Sequence, residues 1–310
     1  MAIVRERIHL PSSQSFRLVH WSSNLHDMEL VVSPQRRSKF DGEGGHWHYH
    51  EAFELTYFES GEGTRFVGDR IQPFQRGDLV LLGSNLPHYW HPRGRSSGWS
   101  LQWHLPPVHH FWAFPETKVL APWFQGAARG IQFSGRTAEW LGAELRGLAS
   151  TEGLARLGLL FRLLALAAGA PAAEQAFISE NAFSLSAVSR HQGAMQAAIG
   201  FLLANFTREI RLNDLLEITR MSRPTFSRQF RIHSGKTLGQ FLQQIRLAAA
   251  CRELAETDCP IIDLALGNGF SQVSFFNRVF RRTFKCSPTD YRERAQSRRA
   301  GHGAGLPPTR

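Results

Sequence analysis

Two short stretches near the C-terminal end of this 310-residue chain carry side chains suited to reading base edges. The first holds Arg223, Thr225, Ser227, Arg228 and Arg231, and the second Ser274, Asn277, Arg278 and Arg281. Arginine can bond guanine bidentately, asparagine can bond adenine, and serine and threonine can bond several base edges, so these residue types fit a major groove. The second set falls at i, i+3, i+4 and i+7, which is one outward face of a helix. Behind each set sits a pair of phenylalanines four residues apart, Phe226 with Phe230 and Phe276 with Phe280, marking the inward face.

The segments that must position these groups read as two helix-turn-helix units, Leu212–Phe230 and Ile261–Phe280. In the first unit, Asn213 is expected to cap a helix whose inward stripe is Leu215, Leu216 and Ile218. Met221-Ser222 makes the turn, Ser222 caps the next helix, and Pro224 lies in the first turn, where a missing N–H costs nothing. In the second unit the stripe is Ile261, Ile262, Leu264 and Ala265. Gly267-Asn268-Gly269 makes the turn and Ser271 is the expected cap. One such pattern suits the solvated faces of an ordinary bundle equally well. Two units with matching caps and phenylalanine pairs, separated by a helix over Thr237–Ala255, favour a tandem reader of double-stranded DNA.

Charge follows the same division. From Arg190 to Arg310 there are 19 Lys and Arg against 9 Asp and Glu, whereas Met1 to Ser189 holds 17 of each. A neutral front half joined to a basic back half places nucleic acid at the back and another task at the front. The length suits two domains. The longest apolar run, Leu157–Ala168, is interrupted by Arg162 and falls short of the ~20 residues that span a bilayer. The first residues, MAIVRERIHLPSS, lack the apolar core of a signal peptide. The 3 cysteines, Cys251, Cys259 and Cys286, are too few and scattered for a disulfide framework. A cytoplasmic protein with reduced thiols and no membrane partner is expected.

The front half reads as strands over about 15–115, in short runs such as Phe53–Phe58, Gly63–Val67 and Asp78–Leu82 separated by Gly, Pro and Asn, which suggests a sandwich or small barrel. Helical periodicity begins near residue 120. It is carried by Leu141, Leu145 and Leu148 in Thr137–Ser150, and by Leu157, Leu160, Phe161 and Leu164 in Gly153–Ala168. The expected layout is therefore a first domain over 1–169, a linker over 170–189, a helical domain over 190–296 and a disordered tail over 297–310. All 8 tryptophans precede residue 141, and 11 of the 14 histidines precede residue 111. Such a composition serves either an aromatic core or a small-molecule pocket.

The run Ala265-Leu-Gly-Asn-Gly-Phe-Ser-Gln-Val-Ser-Phe-Phe-Asn-Arg-Val-Phe280, followed by Ser287-Pro-Thr-Asp-Tyr-Arg292, resembles the signature of the AraC/XylS family of bacterial transcription regulators. The resemblance covers about residues 190–295. It implies a seven-helix, all-α domain whose two recognition helices enter successive major-groove segments, joined by the Thr237–Ala255 helix, and it implies contact with RNA polymerase. One departure is Lys285, which stands after Phe284 where the family usually has Gly. It is expected to carry a left-handed backbone.

In the front half His46, His48 and His50 alternate, and Glu54 has the same parity, so in a strand all would share one face. The spacing H-x-H-x-x-x-E resembles the first motif of the cupin superfamily, and Gly77–His88, GDLVLLGSNLPH, resembles its second. The resemblance implies a jelly-roll barrel and puts His88 beside His48, His50 and Glu54. In metal-containing cupins these positions converge, and three imidazoles with one carboxylate suit iron, manganese, nickel or zinc. Three uses compete: a catalytic metal, a metal-free pocket hydrogen-bonding an effector, and structural partners of the barrel. Regulators of this type generally sense small molecules, often sugars, with the barrel. The expectation is therefore an effector pocket with no metal, no cofactor and no catalysis, built from His48, His50, Glu54, His88, Trp47, Trp90 and His104. Gln102 is a further polar candidate and Trp103 a further stacking one. The segment before about residue 20 is a candidate arm over the pocket. The pair of Leu-rich helices over 137–168 is expected to form a homodimer contact. The whole reads as an effector-controlled transcription regulator, an activator by expectation, with a metal-dependent cupin enzyme tethered to DNA as the alternative.

Overall fold

A computed structural model describes residues 4–10, 14–40, 48–106, 108–182 and 191–303. The chain forms two compact units, one of residues 1–196 with 228–236 and the other of 197–227 with 237–310. The first is built on β-strands flanked by helices; the second is all-helical.

The strands of the first unit are β1 (Val4–Arg5), β2 (Phe16–Trp21), β3 (Met28–Ser33), β4 (Arg36–Phe40), β5 (His48–Tyr49), β6 (Phe53–Ser60) and β7 (Gly63–Val67). They continue with β8 (Arg70–Phe74), β9 (Leu79–Leu82), β10 (His88–Pro92), β11 (Ser97–Trp103), β12 (Ile131–Phe133) and β13 (Gln175–Phe177). The smaller sheet has the order β1-β5-β10-β7-β8 and the larger β13-β12-β9-β6-β11-β2-β3-β4. The expected barrel thus takes the form of a two-sheet sandwich, and among the described residues no strand pairing joins the sheets.

The inner faces share a core in which Val19, Phe58 and Leu82 of the larger sheet meet Val67, Phe74 and Trp90 of the smaller. The other face of the larger sheet is covered as well. Leu18, Leu55, Leu81 and Leu101 pack against Leu141 and Leu145 of α2 (Gly135–Leu148) and Leu160 and Leu164 of α3 (Gly153–Ala168). A strand apolar on both sides loses its alternation, which is why β9 reads Leu-Val-Leu-Leu and is buried throughout. Each fully buried leucine here stabilises the fold by roughly 1.5–3 kcal/mol. Phe161, expected on the inward stripe of α3, is instead 46% exposed. A short helix, α1 (Ala121–Gly126), precedes β12.

Much of the expected linker belongs to the sandwich. β13 pairs with β12, and Ser179, Glu180 and Asn181 are held by Asp69 at the turn between β7 and β8. Asp69 accepts hydrogen bonds from Ser179 Oγ (2.9 Å), the Glu180 amide (3.0 Å) and Asn181 Nδ2 (2.7 Å). An edge strand of three residues is too short to show periodicity, so the sequence reads as a spacer there. Residues 183–190 lie outside the described residues.

The helices that follow are α4 (Gln192–Asn205), α5 (Leu212–Thr219), α6 (Arg223–Ser234), α7 (Leu238–Glu256), α8 (Ile261–Gly267), α9 (Val273–Phe284) and α10 (Pro288–Gly303). The last runs past the expected boundary at 296, taking in 297–303 of the expected disordered tail; residues 304–310 lie outside the described residues. α7 opens with a reciprocal capping box between Thr237 and Gln240. It then buries Leu247, Ala250 and Leu254 against Leu264 and Ala265 of α8 and Phe276 and Phe280 of α9. Gly269, at φ +83°, makes the α8–α9 turn, and a Cβ there would lie 2.6 Å from the Phe206 carbonyl oxygen. Asn268 ties the same turn to α7 through Glu253 Oε2 at 2.7 Å.

Several local expectations are corrected. Arg211, not Asn213, occupies the N-cap of α5, and Gln272, not Ser271, that of α9, in both cases without a side-chain cap. Ile218 and Ile262, expected in the buried stripes, are 38% and 58% exposed, because short helices bury only the positions over the facing core, here Leu215 and Thr219, and Leu264 and Ala265. Lys285 does carry a left-handed backbone, with φ 58° and ψ 21°.

Candidate functional site

The parity of β6 and β11 decides what faces the space between the sheets. Glu54, Thr56 and Phe58 of β6, with Ser100 and Gln102 of β11, point inward, while Leu55 and Leu101 point to the helices. From the smaller sheet, His88 of β10 lies opposite His48 of β5. His50 follows β5 directly. The result is a buried cluster of His48, His50, Glu54 and His88, each less than a tenth exposed, whose ligand atoms all lie within 4.8 Å of one another. The His48 and His88 rings are 4.1 Å apart and the His50 and His88 rings 5.0 Å apart, both edge-on.

Hydrogen bonds set the tautomers. His50 Nδ1 donates to the Ala52 carbonyl at 2.9 Å and His88 Nδ1 to the Leu86 carbonyl at 2.8 Å, which turns both Nε2 atoms towards Glu54. His50 Nε2 is 3.0 Å and His88 Nε2 3.9 Å from Glu54 Oε2. Burial disfavours the Glu54 carboxylate, but the hydrogen bond with His50 and the charges of His88, His50 and His48 hold it well below the usual carboxylate range. Burial and the neighbouring His48 push His88 well below the ordinary imidazole range, against the pull of Glu54. Near neutral pH the site therefore presents an anion faced by a neutral imidazole.

A second ring of polar groups orients the first. Gln102 Nε2 donates to Glu54 Oε2 at 2.5 Å, and Thr56 Oγ1 donates to Glu54 Oε1. Arg17 of β2 donates to Gln102 Oε1 and, at 2.5 Å, to Glu6 Oε1. Glu6 follows β1, which pairs in parallel with β5, and its Oε2 lies 3.5 Å from His48 Nε2. Beside the cluster is a cavity of about 40 Å³, walled on the apolar side by Trp21, Met28, Phe58 and Trp90. Trp90 Nε1 and Ser100 Oγ, buried there, have no protein partner.

The sequence-predicted residues divide accordingly. His48, His50, Glu54 and His88 converge, and Trp90 lines the cavity. His104 has inward parity but lies one residue beyond the end of β11 and is exposed, so it leaves the site. Trp103 packs on the helix side with Phe53 and Phe124. Trp47 and His46 lie outside the described residues. Thr56 and Ser100 were missed although their parity with Glu54 and Gln102 marks them. Arg17 left only the signal of a charge inside an apolar strand. Glu6 left none, since its approach to His48 spans more than forty residues of chain.

In the helical region the residues proposed to meet DNA lie on α6 and α9. Arg223, Ser227, Arg228 and Arg231 are exposed and Thr225 is half-buried, its Oγ1 accepting a hydrogen bond from Ser222 at 2.9 Å. On α9, Ser274, Arg278 and Arg281 are exposed and Asn277 is half-buried. Behind them Phe226, Phe230, Phe276 and Phe280 are all buried. The Arg278 guanidinium lies over the Phe275 ring at 5.3 Å, which restricts its rotamers.

Comparison with known proteins agrees with both regions. Residues 215–294 match the helix-turn-helix domain family and residues 37–185 the AraC-like ligand binding domain family. The chain is 25% identical to the HTH-type transcriptional activator RhaS of Pectobacterium carotovorum over 264 residues, covering 81% of this chain and 88% of that protein. It is 34% identical to the regulatory protein SoxS of Salmonella typhimurium over 104 residues, covering 34% of this chain and 97% of SoxS. Among solved structures, ToxT of Vibrio cholerae O395 aligns over 90% of this chain and 97% of its own, with 14% identity and a TM-score of 0.35.

Proposed function

Since the chain belongs to the AraC family of helix-turn-helix transcription regulators, we propose that it is a transcription activator switched by a small molecule bound between the sheets of its sandwich. The family consists of regulators, not enzymes, which sets aside the tethered-enzyme alternative. The observation that carries the proposal is the pairing within one chain of a buried polar cluster and cavity with two helices whose outward faces are rich in arginine. Activation is inferred from relatives, RhaS being called a transcriptional activator. RNA polymerase is the corresponding partner.

The cavity of about 40 Å³ is small beside ordinary ligand pockets, which run to ~300–1,000 Å³. The volume favours a smaller and more polar occupant than the sugar the sequence suggested. Homodimerisation through α2 and α3 is supported by exposed Trp140 (53%), Leu154 (82%) and Phe161 (46%) on that pair of helices.

The test is capture of genomic fragments by the purified full-length protein at physiological salt. Sharp sites with paired half-sites are expected. Arg228→Ala and Arg278→Ala should each lose ~1–3 kcal/mol at those sites and relax base preference. Ser100→Phe, which fills the cavity, should leave site affinity intact and abolish the response of the neighbouring promoter. Diffuse, salt-labile capture, or unchanged affinity and preference in both arginine variants, would reject the groove assignment.

A further inference from the structure

Laid over one another, the two helix-turn-helix units agree in their arginines. Two residues beyond the first inward phenylalanine stands Arg228 on α6 and Arg278 on α9, and three residues further on stand Arg231 and Arg281. The position just before that phenylalanine breaks the match, being Thr225 on α6 and Phe275 on α9. The fold does not require an aromatic there, since the first unit is built with threonine. Nor does the core claim it. The buried residues of α9 are Phe276, Val279 and Phe280, whereas Phe275 is 37% exposed, beside the face that carries Ser274 and Arg278. The Phe275 ring has Phe270 of the α8–α9 turn as a neighbour, with centroids 6.3 Å apart, and the Arg278 guanidinium lies over it at 5.3 Å. A ring held in this way is an apolar surface coupled to a positioned guanidinium.

We propose that Phe275 is a specificity-determining residue that reads the C5 methyl of a thymine adjoining a guanine read by Arg278. The proposal rests on the reading of α9 as a recognition helix. Base edges in the major groove present hydrogen-bonding groups, and the thymine methyl is the apolar exception among them. An exposed phenyl ring beside Ser274, Asn277, Arg278 and Arg281 meets that methyl more favourably than a polar edge, because a donor or acceptor facing the ring loses its water without gaining a partner. Arg278 can bond guanine through O6 and N7. With the guanidinium resting on the ring, the two groups reach neighbouring base pairs together, and less rotamer freedom is lost when the bidentate bond forms. Thr225, bonded to Ser222, gives α6 no such ring, so the two segments read by one chain differ in this step.

The test uses full-length protein and the sharpest site it captures from genomic fragments, made as a synthetic duplex and assayed at physiological salt. Arg278→Ala first locates the guanine, as the position where base preference relaxes. Each thymine adjoining that base pair, on either strand, is then replaced singly by deoxyuridine, which removes the methyl and leaves the pairing intact. One of these replacements is expected to weaken wild-type binding by about four-fold, the worth of one buried methyl. Phe275→Ala, shown to be folded by circular dichroism, should bind the thymine and uracil duplexes alike, a readout that a merely structural role for the ring would not move. Phe275→Leu, which restores an apolar tip, should recover most of the discrimination. Captured sites with no thymine beside that guanine, uracil duplexes bound as tightly as the parent, or the same loss in Phe275→Ala would each overturn the proposal. If Arg278→Ala relaxes base preference and uracil costs nothing, the groove reading stands and only the role of Phe275 falls. If Arg278→Ala changes neither affinity nor preference, or capture is diffuse, the groove reading itself falls and the proposal falls with it.

Discussion

In the sandwich the groups with chemistry, His48, His50, Glu54 and His88, lie inside the protein; in the helical region Arg228, Arg278 and Arg281 lie outside it. The difference follows from the partners. A small ligand can be enclosed, and enclosure strengthens each polar contact by lowering the local dielectric. A DNA duplex cannot be enclosed, so the proposed reader keeps an inert core, Phe276 and Phe280 packed on α7, and carries the residues proposed to meet DNA on top. One consequence is that function and stability share residues in the first region and are separate in the second.

That separation sets the sizes of the mutational effects. Glu54→Ala removes the anion to which His50, Gln102 and Thr56 are all bonded. It should cost roughly 3–5 kcal/mol of sandwich stability, as when one member of a buried charged network is deleted. Tryptophan fluorescence reads this unit alone, because all 8 tryptophans precede residue 141. An unchanged unfolding midpoint would mean that the cluster is not a stabilising network. Arg278→Ala should behave oppositely, shifting unfolding by no more than about 0.5 kcal/mol while weakening specific DNA binding by ~1–3 kcal/mol. A large loss of helix signal in that variant would break the distinction. The smallest expected effect is a gain. Lys285→Gly, at a left-handed position, should stabilise the helical unit by about 1 kcal/mol in urea unfolding, with DNA affinity unchanged.

What could be read from sequence follows the same division. The outward residues of α6 and α9 were legible because their periodicity and their phenylalanine anchors are local. Within the sandwich, alternation put His48, His50 and Glu54 on one face, and the resemblance to a second motif supplied His88. Alternation also promoted His104, because parity does not reveal where a strand ends. The outer groups of the cluster were hidden for a topological reason. Arg17 meets Gln102, and Glu6 meets His48, through sheet order, which no local pattern encodes. The exposed Ile218, Ile262 and Phe161 mark the other limit: periodicity says which residues share a face, not how far a core extends beneath them.

The larger sheet has one further consequence. Glu54, Thr56, Ser100 and Gln102 alternate along β6 and β11 with Leu55, Leu101 and Trp103, which belong to the layer under α2 and α3. The cavity and the helix pair are therefore two rooms with a common wall one residue thick. A ligand that shifts the wall must displace the packing on its far side, since a close-packed layer does not absorb the movement. Under the proposed effector and dimer readings, signal transfer across this unit needs no relay of intermediate residues, because the two faces of one sheet serve both ends of it.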